Sequence, residues 1–124
     1  MLNKDLKKHL DNLKKLGGHP YFYELLLQIA KLHSDKNSNY AEDNDPLSNL
    51  RECERMGVPA HIGVAIRLTD KFSRYTQLLK GKKDLVGESV FDTLLDISVY
   101  SLLSIILIKE SQKKTAHVPW RHAI

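Results

Sequence analysis

Thiols are all but missing: Cys53 is the one cysteine of 124 residues. That excludes a disulfide framework and any cysteine-based zinc site, and it suits a reducing compartment, so a cytoplasmic location is expected. Glycine is sparse, and none of it forms a phosphate-loop or dinucleotide fingerprint. The N-terminus is charged from its fourth residue and does not read as a secretory leader. The uncharged apolar run, Ile97 to Ile108, falls short of the roughly 20 residues a bilayer crossing needs, so a membrane role is not expected. Period-two alternation is lacking throughout, which excludes a sheet protein. The histidines (His9, His19, His33, His61, His117, His122) show no metalloprotease spacing, and the expectation is that they face solvent or cap helices. No serine or cysteine is marked as a nucleophile.

Charge is present but oddly placed. The formal net value is +4, yet residues 1–16 hold five Lys against two Asp, and residues 111–124 hold Lys113, Lys114 and Arg121 with no acid. Between these ends the acids outnumber the bases. A duplex-binding domain concentrates its positive charge on a working face rather than at two termini, so nucleic acid is not the expected partner.

Helical spacing organises the rest. Leu6, Leu10, Leu13 and Leu16 mark an amphipathic helix over 3–16, ended by Gly17-Gly18. His19-Pro20 opens a second helix running to about His33, and a polar connection over 34–44 follows. Asp45-Pro46 starts a short helix that Gly57 ends. Pro59 starts another, reaching Lys80 before Gly81. The last helix is expected to begin near Asp84 or Gly87 and to end near Glu110; it is apolar almost all round and so should be central. These elements predict an all-α bundle of four to five helices, in which covering the last helix calls for a second copy of the chain. The domain reading is an N-terminal helix (1–18), a helical ligand-binding body (19–110) and a tail (111–124). In that tail, Trp120 is expected to dock on the body or on a neighbour.

Within this apolar context, Glu88, Asp92 and Asp96 recur every fourth residue, which on a continuous helix makes one acidic stripe. Like charges at this spacing repel, and buried carboxylates need compensation. The helix from Pro59 offers Arg67, Asp70, Lys71 and Arg74 on one face, and a short connection would pack it antiparallel to the last helix. Two readings remain open. The acids and bases satisfy one another as a salt-bridge network, or Asp70, Glu88, Asp92 and Asp96 hold a divalent cation. Oxygen-only ligands suit Mg²⁺ or Mn²⁺, and Mg²⁺ is commonly shared with substrate phosphates, which the bases would then grip. Glu52 and Glu54 are better read as an exposed salt-bridged face.

Four blocks in order, Lys36-Asn37 with Tyr40-Ala41, Asp45-Pro46-Leu47-Ser48-Asn49, Arg67 with Asp70-Lys71 and Arg74, and Glu88 with Asp92-Thr93-Leu94-Leu95-Asp96 and Tyr100, resemble the nucleotide modification associated domain 1 family of phages and bacteria. The resemblance covers roughly residues 22–108. The last block is also similar to the second metal motif of the all-α nucleoside triphosphate pyrophosphatases, the MazG and dimeric dUTPase group. Where those enzymes carry a Glu-x-x-Glu pair, this chain has Asp70 among basic residues. The resemblance implies a Mg²⁺-dependent, oligomeric helical protein of phage nucleotide metabolism that cleaves a nucleoside triphosphate to monophosphate and pyrophosphate. In that picture Glu88, Asp92 and Asp96 are catalytic and, with Asp70, hold metal. Glu88 would orient the attacking water. Lys36, Arg67, Lys71 and Arg74 would meet phosphate oxygens, and Asn37, Tyr40 and Asn49 would contact base or sugar. The alternative is a non-catalytic nucleotide-binding protein, a sensor or a sponge for a signalling nucleotide.

Overall fold

The chain is all-helical among the residues that this computed structural model describes, which are 4–40, 45–81 and 89–114, with backbone alone for 37–40 and 114. The elements are α1 (Lys4–Lys14), α2 (Pro20–Tyr40), a 3-10 segment (Ser48–Met56), α3 (Ala60–Leu79) and α4 (Val90–Lys114). Two compact units divide the chain, Met1–Ala41 and Glu42–Ile124. The boundary groups α2 with α1 rather than with α3 and α4.

In the first unit α1 docks on α2 with Leu10 buried and Leu13 half-buried, whereas Leu6 and Leu16 of the expected stripe stay exposed. Gly17 and Gly18 take positive φ between the two helices, where a Cβ would be strained. The Tyr23 hydroxyl donates to the Gly17 carbonyl, and Lys14 pairs with Glu24 at 3.6 Å. His19 accepts the Tyr21 N–H through Nδ1 at 3.1 Å, so this histidine does cap a helix start. The polar stretch expected as a connection from 34 onward is instead helical as far as Tyr40. It contains neither Pro nor Gly, and without a breaker the backbone ladder of a long helix simply propagates.

The second unit is built around α3 and α4. Asp45 opens the 3-10 segment by accepting the Leu47 N–H through Oδ1 at 3.0 Å. Gly57 closes the segment with φ 78°: its N–H donates to the Glu54 carbonyl and the Val58 N–H to the Cys53 carbonyl, a Schellman pair. The segment then packs on α3 where Gly63 leaves room for the Cys53 side chain. A Cβ on Gly63 would stand 2.7 Å from Cys53 Sγ. The buried side chains of the unit are Leu47 and Leu50, then Ala60, His61 and Val64, then Thr93, Val99, Leu103 and Leu107. His61 is thus a buried histidine in the first turn of α3, against the expectation that the histidines face solvent or cap. Its neighbours Pro59 and Ala60 approach α4 at Leu107 and Ser111, while Lys71 meets Asp96. The two helices therefore run antiparallel, as the sequence predicts.

α4 opens later than expected, at Val90, and extends to Lys114. Its start is set by a reciprocal capping box. The Asp92 N–H donates to Ser89 Oγ (3.1 Å), and Asp92 Oδ2 accepts from the Ser89 N–H (3.2 Å) and hydroxyl (3.0 Å). The helix is long and apolar enough, by length and composition, to cross a membrane, so the length argument made from residues 97–108 does not stand. Its burial is one-sided, since only 22% of that span is buried. Trp120 lies outside the described residues.

Candidate functional site

The seam between α3 and α4 holds the two described members of the acidic stripe. Asp96, on the flank of α4 turned to α3, accepts from Lys71 Nζ at 3.0 Å. Both side chains are largely covered, 13% exposed for Asp96 and 24% for Lys71. This is a charge-assisted hydrogen bond in a partly dry setting, stronger than a surface ion pair and weaker than a buried one. One turn toward the start of α4 stands Asp92, exposed, with Oδ2 committed to Ser89. Antiparallel register from the Lys71–Asp96 contact brings Arg74 to the level of Asp92.

Elsewhere the expected cluster is looser. On α3, Asp70 and Arg67 are both exposed, and neither makes an ion pair among the described residues. Arg74 is half-buried on the same helix. Glu88 lies outside the described residues, so among those described the stripe is represented by Asp92 and Asp96. Among the described residues no three carboxylate, histidine or cysteine groups converge as metal ligands. Those residues alone therefore do not make up a Mg²⁺ centre.

Lys36, expected to meet phosphate, and Asn37, Tyr40 and Asn49, expected to contact base or sugar, belong to two compact units. Lys36 is exposed on α2, and Asn37 and Tyr40 belong to the final turns of that helix, their side chains outside the described set. All three sit in the first compact unit, whereas Asn49, half-buried in the 3-10 segment, sits in the second with α3 and α4. Glu52 pairs with Arg55 at 3.2 Å on an exposed face, as its spacing suggested.

Sequence reasoning missed an arginine hub at the other end of the α3–α4 pair. Arg51 donates through Nε to Asp45 Oδ2 and through Nη2 to Glu110 Oε2, both at 2.7 Å. The hydrogen bond to Glu110, then that to Asp45, raises the guanidinium above its usual range. One arginine so fixes the entry of the 3-10 segment to the last turns of α4. Beside it opens a cavity of about 330 Å³ lined by Arg51, Val58, Pro59, His61, Leu107 and Glu110. A pairing that spans 59 residues leaves no local spacing to read. Ser89-x-x-Asp92, by contrast, is a legible capping signature that the acidic-stripe reading passed over.

No protein family, curated protein or solved structure matches the chain.

Proposed function

We propose that this chain binds a nucleotide through its phosphates, along the basic edge of α3, as a non-catalytic capture protein of phage or bacterial cytosol. The observation that carries the reading is the division of labour on that edge. Lys71 is engaged by Asp96, yet Arg67 on the same face is exposed and without an ion pair among the described residues. The acidic seam among the described residues therefore leaves Arg67 without a counter-ion. Arg67 and Arg74 stand seven residues apart, about 10 Å along the helix, a separation that two long side chains can close around a di- or triphosphate. The resemblance to the nucleotide modification associated domain 1 family points to a nucleotide rather than to another anion. It also points to a homo-oligomer.

Pyrophosphohydrolysis of the all-α NTP pyrophosphatase type is the second reading. One observation favours it: Asp92 keeps Oδ1 free of any hydrogen bond to described residues, beside Asp96 on the same flank of α4. That reading needs Mg²⁺ or Mn²⁺ held by Asp70, Glu88, Asp92 and Asp96 together. Nucleoside and deoxynucleoside triphosphates tested by thermal shift with and without Mg²⁺, followed by chromatography of the recovered ligand, separate the two. Capture predicts a raised Tm with ligand returned intact, lost in Arg67→Ala. Hydrolysis predicts pyrophosphate release that Asp92→Asn and Asp96→Asn abolish. No shift with any nucleotide refutes both.

A further inference from the structure

We propose that the cavity bounded by the 3-10 segment, the first turn of α3 and the last turns of α4 binds a small organic cation, an ammonium or guanidinium carried on a compact apolar body. Helical spacing explains how its walls come together. A 3-10 helix repeats every third residue, so Arg51, Glu54 and Gly57 fall on one edge of the segment, and all three line the cavity. The left-handed turn at Gly57 then carries the chain through Val58 and Pro59 into the start of α3, which supplies an apolar wall. From α4 come Leu107, Glu110 and Ser111, spaced i, i+3 and i+4 on the facing side. The volume of about 330 Å³ matches about eleven waters at liquid density, room for one ligand of about ten heavy atoms.

Charge decides the class of ligand. Arg51 is already held by Asp45 Oδ2 and Glu110 Oε2, both at 2.7 Å. Glu54 stands one 3-10 turn from Arg51, yet it pairs with no cation among the described residues and stays exposed. Glu110 uses Oε2 alone, and its Oε1 takes no hydrogen bond from a described residue. Three carboxylates, those of Asp45, Glu54 and Glu110, thus accompany Arg51, and two of them line the cavity with acceptor positions open. An anion would meet those carboxylates. A neutral apolar molecule would strip their water and return no hydrogen bond. A bare divalent ion needs more ligands than these, and among the described residues no three such groups converge. An organic cation answers both halves of the lining: its N–H donors form charge-assisted bonds to Glu54 and to Glu110 Oε1, and its body covers Val58, Pro59 and Leu107. The inference is independent of the nucleotide reading, because Lys71 and Arg74 lie about three to four turns further along α3 than Ala60.

The test is an amide-resolved NMR titration of the full chain with three molecules that share a ring and differ in charge: benzylamine, benzyl alcohol and benzoate. Benzylamine is expected to shift the amides of Gly57, Val58, Ala60 and Ser111 saturably and to bind about ten-fold tighter than benzyl alcohol, with benzoate weaker than either. Glu54→Gln, at an exposed position, is expected to lose about three- to ten-fold in benzylamine affinity with the fold intact. Glu110→Gln is read beside it with circular dichroism, since that change also loosens Arg51. Equal affinity for the three molecules, preference for benzoate, or no saturable shift up to about 10 mM overturns the proposal. So does unchanged benzylamine affinity in the two glutamine variants. Mg²⁺ alone shifting the same amides assigns the carboxylates to a metal and overturns it as well. Nα-acetyl-argininamide binding more than about ten-fold tighter than benzylamine assigns the cavity to a basic side chain of a protein segment, and overturns the small-molecule assignment. Arg67→Ala leaves these shifts unchanged, so this inference and the nucleotide reading fail separately.

Discussion

Replacing Lys71 or Asp96 separates what the seam does for folding from what it does for ligand. Lys71→Met keeps the apolar stem and deletes the cation 3.0 Å from Asp96, whose side chain is only 13% exposed. A charge-assisted hydrogen bond in such a half-dry setting is worth more than the up to about 1 kcal/mol of a surface pair, and removal leaves a poorly solvated carboxylate, so a loss of about 2 kcal/mol is expected. Asp96→Leu strands Lys71 less severely, because its long stem can carry the ammonium to water, and about 1 kcal/mol is expected. Since well-packed apolar groups commonly replace a buried pair at little cost, Lys71→Met/Asp96→Leu should lose less than the singles sum to, with a coupling of about 1 kcal/mol. Urea unfolding followed by far-UV circular dichroism reads all four corners of the cycle. Singles that destabilise by under about 0.3 kcal/mol with no coupling would show that the pair is an incidental contact and that the seam has no scaffold role. A double variant that keeps its nucleotide-induced rise in Tm assigns phosphate contact to Arg67 and Arg74. Loss of that rise in the stable double variant refutes the division of labour on which the capture reading stands.

Three further outcomes follow from the geometry. Ser89→Ala removes the hydroxyl that accepts the Asp92 N–H and should cost about 1 kcal/mol in the same denaturation assay, with the affinity for any nucleotide unchanged. Gly63→Ala places a Cβ against Cys53 Sγ at 2.7 Å and should destabilise by about 2 kcal/mol. Cys53→Ala in the same chain should recover most of that loss, and failure to recover it would show that backbone strain in α3 is the cause. Arg51→Met deletes both 2.7 Å contacts, but Asp45 and Glu110 keep 33% and 39% side-chain exposure and rehydrate in part, so about 1–2 kcal/mol is expected. Hydrogen exchange in that variant should quicken first at the last turns of α4 and in the 3-10 segment, the two pieces this side chain joins.

Helix content and order were legible because they rest on local chemistry. Leucines at helical spacing, proline at helix starts and glycine after helix ends place α1, the 3-10 segment and α3 within a residue or two. The antiparallel pairing of α3 and α4 was legible as well, from a short connection and opposed charges. Propagation of α2 to Tyr40 was not, because polar composition resembles a loop while the absence of Pro and Gly leaves the helix nothing to stop it. The start of α4 was misplaced for a different reason. Three acids every fourth residue look like one stripe, but Asp92 closes a capping box at the helix start, and Glu88 lies outside the described residues. Arg51 with Asp45 and Glu110 is illegible in principle from one sequence, since only the fold brings the partners together.

The start of α4 matters for the site. An acid that caps its own helix and an acid clasped by a lysine are both accounted for by folding, and neither calls for a metal. What folding does not account for is Arg67, exposed and unpaired among the described residues on a face that continues through Lys71 to Arg74. Charge without a counter-ion is a feature that folding gains nothing from keeping idle, and an anion bound along that face would supply one.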